Sequence, residues 1–410
     1  HSNLEAVRFY EEAIGVLCKT PEVEENKKEQ IEVRLSMAYA MVYLHWPEGS
    51  LENLRVCEQL AKELGDDKSL AHYLSILGLY YGWKKGDLLR GIKYSEDAFR
   101  KAEQLNDVGL MASTGGFLCL LYWWSGKCRS VIDVAPKIIT LLEETERQSD
   151  FFGNPYNLYS VIHGWYANCS AMMGNFKEAI SHIEKGLNFA IEVNNVGALA
   201  VLELQYGWLK NFRGEGENAI PHLQKLIAYC EDGQFFLFPI AWGNLGWSHY
   251  LLGDLKTARE FIEKGLKIFG EAKVQIDRGL FYWLLGMIHL ELGDLENSQC
   301  QAEKALKLSQ KAQQIWIEGF ALILLGRIFG RTDQPHYENA EKYILKGIKI
   351  LEELELKALY AQGYFYLGEV YAESNQQDKA LEYYKKVEKM FQEMEMDYWL
   401  NKTHGMLESL

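Results

Sequence analysis

A glycine that directly follows a leucine returns about every forty residues along this 410-residue chain. It stands at Leu77-Gly78, Leu245-Gly246, Leu285-Gly286, Leu325-Gly326 and Leu367-Gly368, and Ala38, Cys119, Ala167 and Gly207 hold the related positions. The nine anchors, at 38, 78, 119, 167, 207, 246, 286, 326 and 368, are separated by 40, 41, 48, 40, 39, 40, 40 and 42 residues. A regular period of that size marks an array of similar supersecondary units. No single unit buries its apolar face alone, so stability comes from stacking neighbours.

Other residues keep step with the anchor. Seven positions on lies a glycine in several copies (Gly174, Gly214, Gly253, Gly293), and Gly86-Asp87-Leu88 is the same turn displaced by one residue. Glycine ends a helix in the left-handed conformation, and the Asp or Asn after it caps the next helix. Twelve positions on, a small residue recurs as Ala179, Ala219, Ala258, Ser298 and Ala380. Small residues let two helix axes approach to about 8–10 Å. Each unit therefore reads as helix, tight turn, helix, and the fold class as all-α.

This pattern resembles the tetratricopeptide repeat, in which an aromatic, Leu-Gly, Tyr, Ala, a large residue and a small residue follow in order. The last full unit carries Tyr364, Leu367-Gly368, Tyr371, Ala380, Tyr384 and Val387; another carries Trp242, Leu245-Gly246, His249, Ala258, Ile262 and Gly265. The usual period is 34 residues. A period near 40 lengthens each helix to roughly 16–18 residues, or ~25 Å, so the resemblance is to the long-repeat variant. It implies a right-handed solenoid of nine helix pairs, preceded by a half-repeat and closed by a capping helix. The end of the chain, Glu393 to Leu400, is similar to the C-terminal close of bacterial multidomain cyclase/ATPase signalling proteins. That likeness implies a fragment of a larger chain whose catalytic domains lie upstream.

The opening helix, Leu4–Leu17, carries Ala6, Tyr10 and Ala13 at second-helix spacing, so its partner is expected before residue 1. His1-Ser2 reads as the remnant of a tag or linker, and residues 20–29 as a polar connection. The 48-residue separation places an insertion at 147–157, which is either a bend dividing 1–147 from 155–410 or a longer surface loop. A second, smaller insertion spans 330–336, and Asp397–Leu407 has the length and polarity of the capping helix.

Composition narrows the function classes. A formal net charge of −14 with no segregated basic run argues against nucleic acid and anionic membranes. Seven widely spaced cysteines without a CxxC read as buried, reduced thiols of a cytoplasmic protein, and charge is spread so that no membrane span is expected. There is no GxxxxGK[ST], HExxH or GxSxG, and Gly214-Glu215-Gly216 is a turn, so neither enzyme activity nor cofactor nor metal is expected. His249 and His289 share one repeat position and read as packed tyrosine substitutes rather than a ligand pair.

The concave face is the expected binding surface. Mapped on the anchors, it takes Trp83, Trp123, Trp124, Trp208, Trp247, Tyr250, Trp283 and Met287, with Asn168, Asn211 and Arg327 as polar points. The same spacing is satisfied if those tryptophans pack between repeats. Aromatic rings beside a few hydrogen-bonding groups suit a protein or peptide partner, possibly a domain of the parent chain. A sugar-like small molecule is the alternative, since the long-repeat domain of maltose-regulon activators is similar and binds an oligosaccharide. A homodimer through an uncovered first repeat is a third possibility.

Overall fold

The computed structural model describes residues 2–21, 23–231, 237–272, 275–332 and 334–410. His1, Glu22 of the polar connection and Asp333 of the second insertion lie outside the described residues. Twenty α-helices follow one another and no strand occurs among the described residues. The first ten are α1 (Ser2–Leu17), α2 (Glu24–Tyr43), α3 (Ser50–Leu64), α4 (Asp67–Leu79), α5 (Leu88–Leu105), α6 (Val108–Ser125), α7 (Cys128–Glu144), α8 (Leu158–Met172), α9 (Phe176–Glu192) and α10 (Val196–Arg213). The rest are α11 (Gly216–Glu231), α12 (Phe238–Leu251), α13 (Leu255–Ala272), α14 (Arg278–Glu291), α15 (Leu295–Ala312), α16 (Ile315–Gly330), α17 (Tyr337–Glu353), α18 (Lys357–Glu373), α19 (Gln377–Glu393) and α20 (Asp397–Ser409). A π-helical turn at Tyr80–Lys85 prolongs α4.

Local chemistry explains the punctuation. Asp66, Asp87, Asp107, Asn157, Asn195 and Asp294 each accept a hydrogen bond from the backbone N–H three residues on, which caps the helix that follows. Each even-numbered helix from α2 to α18 packs against the next odd-numbered one. The anchor residue sets the approach: a Cβ on Gly246 would lie 2.8 Å from the Ala258 carbonyl oxygen, and one on Gly326 would lie 2.6 Å from that of Ala340. Ala340 stands fourteen rather than twelve residues on because the turn of 330–336 is longer. At the end of the array α20 seals the last pair, burying Trp399 against Phe365, Tyr366 and Phe391. At the other end α1 leaves Leu4, Phe9 and Val16 in solvent.

Two expectations from composition need correction. Cys18 and Cys300 are exposed, while the other five thiols are buried. Val108–Ser125 is an uncharged 18-residue helix long and apolar enough to cross a membrane, and 78% of it is buried within the fold. Its apolarity follows from its position: α6 is covered by α4, α5, α7 and α8, so it has almost no solvent face.

The solenoid also closes on itself. Turns early in the chain meet turns late in the chain across the superhelix. The backbone N–H of Leu89 donates to Gln313 Oε1 at 2.7 Å, Trp316 Nε1 donates to the Trp124 carbonyl at 3.2 Å, and Arg213 Nε donates to the Glu395 carbonyl at 2.9 Å. Lys177 and Arg213 flank the Glu395 carboxylate at 3.4 and 3.5 Å. Helices α8 and α10 touch α18 across the same gap.

Glycine is needed where the turns meet. Gly214 has φ +92°, and a Cβ there would lie 2.7 Å from the Cβ of Tyr398. Gly253 holds the same repeat position with φ +79°, but nothing lies within 4 Å of its Cβ site. Gly253→Ala is expected to cost only the left-handed backbone penalty, about 1–2 kcal/mol. Gly214→Ala adds the clash with Tyr398 and is expected to cost about 1–3 kcal/mol more. Urea unfolding of the two variants checks this; equal midpoints would show that the seam contributes nothing.

Candidate functional site

Closure turns the concave face inward. Trp83, Trp123, Trp124, Trp208, Trp247 and Trp283 are all buried, and Trp208 is 0% exposed. Four of them form one connected aromatic chain: Trp123 and Trp208 lie 5.3 Å apart edge to face, Trp208 and Trp247 6.1 Å, and Trp247 and Trp283 6.0 Å, while Trp83 pairs with Trp124 at 5.9 Å. Trp316, at the start of α16, reaches across from the far side of the superhelix to lie 6.0 Å from Trp208. Edge-to-face geometry suits the ring quadrupoles and adds about 0.5–1.5 kcal/mol per pair beyond area burial.

The polar points are engaged within the fold. Asn168 Nδ2 donates to the Gly164 and Gln205 carbonyls and to Gln205 Oε1. Asn211 Nδ2 donates to the Asn244 carbonyl and its Oδ1 accepts from Ser248 Oγ at 2.9 Å. Arg327 lies between Glu369 at 3.1 Å and Glu291 at 3.4 Å, with its guanidinium 3.9 Å above the Tyr366 ring. Arg327 Nη1 also lies 3.2 Å from Met287 Sδ. Tyr250 is half-buried nearby. His249 and His289 do not meet; each turns Nδ1 to the Asp of its own turn, Asp254 at 3.4 Å and Asp294 at 3.1 Å.

Between these clusters the superhelix forms a partly open cavity of ≈ 80 Å³. Tyr39 and Tyr43 of α2, Trp83 of the π-helical turn, Phe117, Trp123 and Trp124 of α6, and Trp165 of α8 supply its aromatic wall. Val201, Leu204 and Gln205 of α10, Leu237 before α12 and Ile240 within it, Ile276 and Asp277 before α14, and Val42, Leu79 and Leu120 also line it. The irregular 145–157 segment contributes Pro155 and Tyr156, while its Asn154 Nδ2 donates to Ser113 Oγ at 3.1 Å and Asn157 caps α8. The repeat spacing brings Trp83, Trp123 and Trp124 to this chamber. Trp208, Trp247 and Trp283 pack in the cluster beside it.

Asp277 is the chamber's unusual residue, and the repeat spacing does not reach it. It precedes α14 in the N-cap position, yet its side chain caps no backbone N–H and its φ is +65°. Gln314 holds it at two points instead, accepting from the Asp277 N–H at 2.9 Å and donating from Nε2 to Oδ1 at 2.8 Å. Among the described residues Oδ2 has no hydrogen-bond partner, and the residue is 1% exposed. Burial pushes the carboxyl up to about 7, against the opposing hydrogen bond from Gln314.

The folded chain therefore keeps this proton at pH values where the unfolded chain, titrating at the ordinary 3.8, has lost it. Stability falls as pH rises through that window and levels off above about 7. Asp277→Asn removes the effect and tolerates the left-handed backbone. It is expected to gain stability over the wild type as pH rises from 4 to 8, by a few kcal/mol at most, on the order of 1.4 per pKa unit. Thermal melts across that range check this, and a difference independent of pH would contradict it.

Family models for the tetratricopeptide repeat match residues 240–270, 281–311 and 362–392. The chain carries tetratricopeptide repeats. No curated protein matches it in sequence. Among solved structures, the repeat solenoid is similar to NprR in complex with its cognate peptide NprX, at 15% identity over 89% of this chain and 99% of that one, with a TM-score of 0.58. The apo form of the quorum sensor NprR from B. thuringiensis aligns at 14% identity over 90% and 100% of the two chains, with a TM-score of 0.53. Aspartyl phosphate phosphatase F from Bacillus subtilis aligns at 14% identity over 88% and 94%, with a TM-score of 0.50. At these identities the likeness is one of fold: an all-helical tetratricopeptide solenoid.

Proposed function

We propose that this chain is a non-catalytic sensor and interaction module that takes a terminus or side chain of a peptide or protein partner into the chamber formed by its repeats. The observation that carries this reading is the composition of the chamber wall. Residues from α2, α4 and its π-helical extension, α6, α8, α10 and the approaches to α12 and α14 meet around one cavity. A ligand there touches repeats that are far apart in sequence, so its binding energy acts on the curvature of the whole solenoid. Differential affinity for two curvatures is what a sensor requires. The fold shared with NprR, a protein whose complex with a cognate peptide is known, supports the same reading.

The resemblance of Glu393–Leu400 to the close of multidomain signalling proteins supports a place in a larger, cytoplasmic signalling chain. The change in curvature would then be passed to neighbouring domains. A sugar-like ligand fits less well. Gln205 and Asp277 are the only side chains with strongly polar groups in the described wall apart from the tyrosine hydroxyls and indole N–H groups, whereas a sugar presents many hydroxyls that need partners.

Selection of a random peptide library on the purified chain tests the proposal. Binders are expected to shift tryptophan emission, because Trp83, Trp123, Trp124 and Trp165 line the chamber. Val201→Phe fills part of the cavity and is expected to weaken them about tenfold, or 1.4 kcal/mol, with helical circular dichroism retained. A selection that returns no sequence-specific binder, or binders indifferent to Val201→Phe, would count against the reading.

A further inference from the structure

The chamber has one chemical bias that its aromatic wall does not explain. A capping Asp normally spends its carboxylate on the backbone N–H groups of the helix it begins. Asp277 does not: its backbone is turned to φ +65°, Gln314 grips it at the N–H and at Oδ1, and Oδ2 has no partner. An unsatisfied oxygen on a side chain that is 1% exposed is costly to keep. Among the described residues no Lys, Arg or His forms an ion pair with Asp277, and none lines the cavity.

The chemistry of the wall favours one ligand class. An anion meets Asp277 and no counter-charge among the described wall residues. A wholly apolar group leaves Oδ2 unpaired. An ammonium group satisfies the carboxylate and is attracted to the faces of Trp and Tyr rings, and Tyr39, Trp83, Trp123, Trp124, Tyr156 and Trp165 share the cavity with Asp277. The volume, ≈ 80 Å³, exceeds the roughly 10–15 Å³ that one water needs and falls below the ~300 Å³ of a drug-sized site. It suits a compact head group rather than a whole peptide. Trp123 Nε1, also buried without an acceptor, can donate to an oxygen next to that head group.

From this geometry we infer that the chamber is a binding site for a compact organic cation, with an ammonium group seated on Asp277 among the aromatic rings. The inference rests on the sensor reading and names the chemistry of its ligand. The cation is carried either by a free small amine or by the amino terminus or a lysine of a peptide, and the two sources present the same group to Asp277.

Titration calorimetry and tryptophan emission decide the matter, with tetramethylammonium, choline and n-butylamine as free probes and 3,3-dimethylbutanol as the neutral isostere of choline. The wild-type chain is expected to bind at least one cation at least tenfold more tightly than the neutral isostere. Asp277→Asn is expected to lose at least tenfold while keeping its helical circular dichroism. Peptides with free and acetylated amino termini separate the sources: preference for the free form points to a peptide, and binding of the free amines alone points to a metabolite. Equal binding of choline and its isostere, full retention in Asp277→Asn, or no cation binding at all would overturn the inference. Peptides selected as above that still bind in that case leave the sensor reading standing. Should Asp277→Asn fail to fold, the comparison of cation with isostere on the wild type decides alone.

Discussion

Closure of the superhelix depends on backbone approaching side chain at a row of turns. At Gly214 one turn rests against Tyr398, and at Gly174 another rests against Met394. Such contacts are possible only because these turns end their helices in the left-handed conformation without a Cβ. A repeat array needs none of this to be stable, since each pair is already covered by its neighbours. The seam makes a quasi-linear array into a closed one, with Arg213 and Lys177 holding Glu395 across it.

The rest of the interior follows from that closure. Tryptophans that would face an open groove meet each other and Trp316 instead, each large ring burying roughly 150–250 Å² in such a setting. The space left among them is the chamber, and Asp277 lines it with one carboxyl oxygen, Oδ2, left without a partner among the described residues. Chamber and seam share a residue: Trp124 lines the chamber, and its carbonyl accepts the seam hydrogen bond from Trp316. On the proposed reading, a ligand that shifted α6 would act on the closure through that backbone group.

Much of the fold is legible in the sequence because helix pairs are local. Leu-Gly anchors, turn glycines and capping Asp residues act within one unit, and the structure places them there: Gly246 on Ala258, Asp294 on the N–H of Asn297. What spacing does not carry is contact between units far apart. Gly214 and Gly253 are equivalent by repeat position, yet one packs against Tyr398 and the other faces open space. Trp316, ten residues before its anchor, and Asp277, in a connection between helices, belong to no periodic face. The 18-residue charge-free run of α6 departs from the spread of charge expected for a related reason: most of the helix is buried between its neighbours.

Small-angle X-ray scattering of the chain in solution tests closure most directly, because it reports the whole path of the superhelix without a label or ligand. The account predicts a profile and maximum dimension that match those calculated from the closed structure. A longer particle, fitted only by an open solenoid whose α8 and α10 are parted from α18, would contradict it.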